Sequence, residues 1–306
     1  MSLTPAVAQD LKQALATVVV VPVTPLHADG NPDWDAYAAL TRRVIDGGIT
    51  VITPNGNTGE FYALSQAEAR QVLETAARAS HGQTELLAGV GHDIATAVEA
   101  AGHAREHGAR MIMIHQPVHP YVSREGWIGY HAAIANQVPD LGVVLYIRNE
   151  RITGADIAAL ADQSPNVIGV KYGVRDASTF AAVARDAGID RFTWLAGAAE
   201  LTAPAYWACG AHGFTSGLAN VSPALALAML DALRANDFGQ AMKVWDKARR
   251  FEELRAAHAS ADNVSVVKEA LAQLGLCRAD VRPPSRPLPP DVKDEIRAIL
   301  TSWGLT

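Results

Sequence analysis

Lysine is scarce in this chain. Between Lys12 and Lys243 the only one is Lys171, and every other basic residue in that stretch is an arginine or a histidine. Positive charge is also short overall: the formal net charge is −6 over 306 residues, which argues against the basic face that nucleic-acid binding requires. Cysteine is nearly absent. Cys209 and Cys277 lie far apart, so the expectation is two buried thiols in a reducing cytoplasm rather than a disulfide framework. Long apolar runs are missing too. The segment 16–23 is too short to span a bilayer, ends among Pro22 and Pro25, and has no basic flank beyond Lys12. Neither a membrane partner nor a signal peptide is expected.

What the chain does contain is alternation. Short β-branched or apolar runs at 17–23, 50–55, 85–91, 110–115, 142–147, 167–172, 192–196 and 211–216 read as strands. Between and after them, 34–46, 65–79, 94–107, 124–136, 153–163, 176–187, 199–208 and 223–235 carry helical periodicity. The second of these opens Ser65-Gln66-Ala67-Glu68, a capping box. Continuously apolar strands alternating with helices imply a parallel sheet covered on both faces. The spacing predicts an α/β fold, a (β/α)8 TIM barrel over residues 1–236 that carries the active site. From 237 to 306 the strand pattern stops, and 237–258, 264–274 and 290–303 read as a C-terminal appendage of three helices.

Lys171 falls within the apolar run Val167-Ile168-Gly169-Val170-Lys171-Tyr172-Gly173. An ammonium ion is costly in a buried strand, whereas a neutral amine there is a nucleophile towards carbonyl carbon. The expectation is a lowered pKa and Schiff-base chemistry, against the plainer reading of a lysine paired with a carboxylate for stability. In a barrel of this kind, polar groups at the C-terminal ends of the strands form the site. After the second strand comes Gly56-Asn57-Thr58-Gly59-Glu60, a turn of the sort that holds a carboxylate on backbone N–H groups, or an ordinary glycine-containing connection. The fifth strand ends with Tyr146, a candidate proton relay or else a core aromatic. Arg148 and Arg151 follow, either clamping a substrate carboxylate or simply solvated. A competing reading takes His92, His115 and His119, near the ends of the third and fourth strands, with Glu60 as divalent-metal ligands of a barrel aldolase or hydrolase. Their spacing matches no compact ligand motif.

The order Gly56-Asn57-Thr58-Gly59-Glu60, Tyr146, Gly169-Val170-Lys171 resembles the dihydrodipicolinate synthase/N-acetylneuraminate lyase superfamily of Schiff-base-forming lyases. The resemblance begins at Val23-Thr24-Pro25-Leu26 and Asp29-Gly30. It runs through Leu64, Glu68, Pro117, Glu125-Gly126, Gly213 and Ala219-Asn220, and ends at Val267-Lys268-Glu269-Ala270-Leu271 and Arg282-Pro283-Pro284. It implies an imine between Lys171 and the C2 carbonyl of pyruvate or another 2-keto acid, with no dissociable cofactor. It gives Tyr146 the proton shuttle, and Thr58, with Asn57 and Gly59 beside it, the substrate carboxylate. Gly217 is counted among the substrate-binding residues, and a homotetramer or homodimer is implied. The sequence departs from the synthase pattern at Asn57, where a threonine is usual, and at Val118-His119, where a tyrosine pair is usual. His119 or Tyr121 is left to replace the missing relay tyrosine. Tyr146-x-Arg148-Asn149 looks closer to 5-dehydro-4-deoxyglucarate dehydratases.

Overall fold

Strands buried on both faces can satisfy their backbone only by pairing laterally, and closing the sheet removes its edges. The computed structural model, which describes residues 2–306, shows that solution. Among the described residues the strands are β1 (Val18–Val20), β2 (Val51–Ile52), β3 (Glu85–Val90), β4 (Met111–Ile114), β5 (Gly142–Ile147), β6 (Val167–Tyr172), β7 (Thr193–Ala196) and β8 (Gly213–Ser216). They follow one another in sequence order around a closed barrel. Pairing from β2 through β8 is parallel, as in Ala88 opposite Ile112 and Lys171 opposite Leu195. Each connection carries a helix: α2 (Trp34–Asp46), α3 (Gln66–Ser80), α4 (Ile94–Glu106), α5 (Arg124–Ala135), α6 (Gly154–Gln163), α7 (Ala177–Ala187) and α8 (Ala203–Ala208). After β8 come α9 (Pro223–Arg234), α10 (Phe238–Ser260), α11 (Asn263–Gln273) and α12 (Pro290–Ser302). The expected (β/α)8 barrel with C-terminal helices is therefore present.

The chain divides into two compact units. The first runs to Val19 and includes Thr50–Thr53 and Glu85–Thr215; the second comprises Val20–Ile49, Pro54–Thr84 and Ser216–Thr306. Within the first unit the barrel interior is filled by Val19, Val51, Leu87, Met111, Met113, Val144, Ile168 and Leu195. One end of that cluster comes from α1 (Pro5–Leu15), a helix that the sequence reading passed over although its apolar residues fall on one face. Thr4 caps it, Pro5 stands in its first turn, and only Leu11 and Leu15 are buried. Ideal Cβ atoms on Gly142 and Gly169 would lie 3.1 and 3.3 Å from the Leu11 and Leu15 methyls, so those glycines make room for the plug. In the second unit α9, α10, α11 and α12 pack in succession. Backbone angles leave the helical region at Ala257, His258 and Ala259 inside α10.

Two local expectations are corrected. The helix predicted at 199–208 divides into a short 3-10 turn, Ala199–Leu201, and α8, because Pro204 has no N–H to give a helix interior and is tolerated only in a first turn. Cys209 and Cys277 are free thiols, as expected, but both are partly exposed rather than buried. No helix among the described residues is long and apolar enough to cross a membrane.

The plug generates a prediction. Leu15→Ala, at a fully buried position, should destabilise the fold by about 2–5 kcal/mol, the usual range for such a truncation. Thermal unfolding monitored by circular dichroism checks it, and an unchanged midpoint would show that α1 is not part of the core.

Candidate active site

Tyr146 on β5 and Lys171 on β6 are register partners, so their side chains leave neighbouring strands on the same face. Both are nearly buried, at 6% and 4% exposure. The Lys171 Nζ stands over the Tyr146 ring, 4.2 Å from its centroid. Gly173 keeps this arrangement open: a Cβ there would come within 3.2 Å of the Tyr146 ring and 3.1 Å of the Arg148 side chain. A second aromatic face approaches Tyr146 from β4, where His115 is fully buried with its ring edge-on, centroids 6.1 Å apart. Gln116, next in sequence, donates from its side-chain amide to the Tyr146 carbonyl oxygen.

The other barrel-unit candidates lie in loops. Arg148 and Arg151 are exposed and form no ion pair among the described residues. The Arg151 backbone N–H donates to the Asn149 side chain at 3.0 Å, which shapes the loop after β5. His119 is exposed, and its Nδ1 is engaged with the Tyr121 backbone; Tyr121 itself is 85% exposed. The two rings meet edge to face, centroids 5.9 Å apart. The imidazole found beside Tyr146 is thus His115, which the sequence had suggested only as a metal ligand. Among the described residues, His92, His115 and His119 form no group with ligand atoms within 4.8 Å of one another, so the donor set of the metal reading is not assembled. Sequence reasoning also passed over Glu200, which is 1% exposed in the turn after β7 and follows Ala199 in a left-handed conformation. Only its position after a strand end signalled it.

In the second unit, Asn57–Gly59 forms one turn of 3-10 helix. Asn57 is half-buried and Thr58 is buried. The Gly59 carbonyl accepts a hydrogen bond from the Thr24 hydroxyl at 2.8 Å, and a Cβ on Gly59 would press on the Pro22 carbonyl at 2.8 Å. Glu60 ends the turn at φ 62°, the left-handed region, which costs a non-glycine residue about 1 kcal/mol or more. Gly217 opens the 3-10 turn Leu218–Asn220, and a Cβ on it would collide with the buried Arg255 guanidinium. Asn220 bolts this turn in place by donating to the Val21 and Gly217 carbonyls and accepting from the Val23 N–H. Arg282 reaches the Gly30 and Ala63 carbonyls and, through both terminal nitrogens, the Glu68 carboxylate at 2.9 and 2.6 Å.

A closed parallel barrel with one nearly buried lysine set against a tyrosine on the adjacent strand is the frame of a barrel enzyme. The profile of the Dihydrodipicolinate synthetase family matches residues 14–303, and the chain belongs to that family. It is 29% identical over 97% of its length, and 98% of the relative's, to a probable 5-dehydro-4-deoxyglucarate dehydratase of Delftia acidovorans. It is 31% identical to a 4-hydroxy-tetrahydrodipicolinate synthase of Phenylobacterium zucineum, covering 92% of this chain and 95% of that one. The crystal structure of dihydrodipicolinate synthase from Bacillus clausii superposes with a TM-score of 0.92 at 38% identity, covering 96% of this chain and 99% of that chain.

The Glu68–Arg282 pair predicts a pH dependence. The Arg282 guanidinium holds the Glu68 carboxyl down at about 2 from an ordinary 4.5, with the Ser65 N–H and hydroxyl assisting against the cost of burial. A depressed carboxyl stabilises the fold while it is charged: the contribution is complete above about pH 4.5 and drains away as pH falls towards about 2. Glu68→Gln should therefore lower the melting temperature at pH 7, and the gap from the unsubstituted protein should narrow steadily below about pH 4.5. A gap independent of pH would show that the charge contributes nothing.

Proposed function

We propose that the protein is a Schiff-base-forming lyase acting on pyruvate or a related 2-keto acid through Lys171. The observation that carries this reading is the Lys171 Nζ held against the Tyr146 ring between adjacent buried strands. Burial disfavours a charged amine and leaves the nitrogen lone pair available. The amine adds to the C2 carbonyl, and loss of water gives the imine. Protonated, the imine withdraws electrons from C3, so a C3 proton or a C3–C4 bond is released to an enamine. Cleavage, addition and elimination all follow from that enamine. Tyr146 is the acid/base that moves protons at the imine, and His115 is the side chain best placed to support it. The Asn57–Gly59 turn takes the keto-acid carboxylate. No dissociable cofactor is needed, since the imine is itself the electron sink, and activity should survive chelation.

A second reading within the family is favoured by Arg148 and Arg151, which are exposed and form no ion pair among the described residues. Two cations after β5 suit a substrate with an acid group at each end, as in a 5-dehydro-4-deoxyglucarate dehydratase-like enzyme. The absence of a tyrosine pair at Val118-His119 points the same way.

Borohydride with pyruvate should reduce the imine to a secondary amine and fix the mass of the adduct on the peptide containing Lys171. Lys171→Ala should abolish both trapping and turnover while the far-ultraviolet spectrum is retained; trapping that persists in this variant would place the chemistry elsewhere. Tyr146→Phe should slow turnover by about 10²–10⁴-fold, the scale of general acid–base catalysis, and a rate near that of the unsubstituted enzyme would remove Tyr146 from that role.

A further inference from the structure

Glu60 is an unexpected residue for its backbone. At φ 62°, ψ 33° a glycine would sit without strain, and the side chain is 3% exposed, so a carboxylate is being kept dry in a conformation that resists it. Its partners account for this. One oxygen accepts a charged hydrogen bond from Lys268 Nζ on α11, a side chain with no exposure at all. The other accepts the Arg282 backbone N–H at 2.8 Å. Lys268 also donates to the Asp280 carbonyl at 2.9 Å, which ties the same nitrogen to the segment leading to Arg282. Burial pulls the Lys268 ammonium below its ordinary value while Glu60 pulls it back. The Glu60 N–H closes the Asn57–Gly59 turn on the Asn57 carbonyl at 3.0 Å. Glu60 is therefore the point at which the turn is fastened to the C-terminal helices. Removing one partner of a buried ion pair leaves an uncompensated charge and is far more disruptive than removing both.

We propose that Lys268 is a positioning residue: by anchoring Glu60 it fixes the Asn57–Thr58–Gly59 turn in the form that receives the substrate carboxylate. This rests on the Schiff-base reading of the preceding subsection. Lys268 does not touch the reacting atoms, so its loss should weaken capture of the keto acid without removing the nucleophile.

The test is borohydride trapping across a range of pyruvate concentrations. The paired variant Lys268→Met/Glu60→Gln removes both charges together and is expected to fold. Glu60→Asp, which keeps both charges and withdraws the carboxylate by one methylene, serves if the paired variant does not fold. In either, the pyruvate concentration for half-maximal trapping should rise at least about tenfold, an effect of more than 1.4 kcal/mol, while the extent of trapping at saturation is retained. The turnover number should fall less than the KM rises. A half-maximal concentration within about twofold of the unsubstituted protein would overturn the inference while leaving Schiff-base chemistry intact. If the unsubstituted protein trapped no pyruvate or other 2-keto acid, the reading of the turn and the role of Lys268 would fall together.

Discussion

A strand sealed on both faces offers no water to a polar side chain, and the barrel imposes that condition on every inward residue. Its interior positions answer with Val19, Val51, Leu87, Met113, Val144 and Leu195. Lys171 breaks the pattern, and the structure accommodates it with the Tyr146 ring on the next strand and with a glycine at 173 where a side chain would crowd that ring. A lysine thus stands where packing alone would favour an apolar side chain. Leu11 and Leu15 belong to the buried cluster that includes Tyr146, the register of β5 on β6 sets Lys171 beside that ring, and His115 is fully buried directly after β4.

Polar groups in the second unit obey the same rule by a different route. Glu60, Lys268, Glu252 and Arg255 are all nearly buried, and each acid has a base. These pairs are costly to desolvate, so their value lies less in net stability than in specifying one arrangement of the chain. Glu60 with Lys268 fixes one turn, and Arg255 against Gly217 limits what another can hold. The C-terminal helices thereby take part in shaping the Asn57–Gly59 turn.

Membership of the Dihydrodipicolinate synthetase family sets the chemistry in class but not in detail, since relatives of similar identity are named for different reactions. The loop after β4 carries His119 with its ring bonded to the Tyr121 backbone, and the loop after β5 carries Arg148 and Arg151, which form no ion pair among the described residues.

Much of this was legible in the sequence. Strand and helix are encoded locally, in runs of β-branched residues and in spacings of three and four, so the eight βα repeats could be read directly. Lys171 stood out because charge is expensive where apolar residues surround it on both sides. The capping box at Ser65 and Glu68 was equally local. The tertiary structure decided the partners. Only folding brings Lys268 to Glu60 across 208 residues, or selects His115 rather than His119 as the neighbour of Tyr146, because such contacts depend on how whole elements pack and leave no periodic trace in the chain.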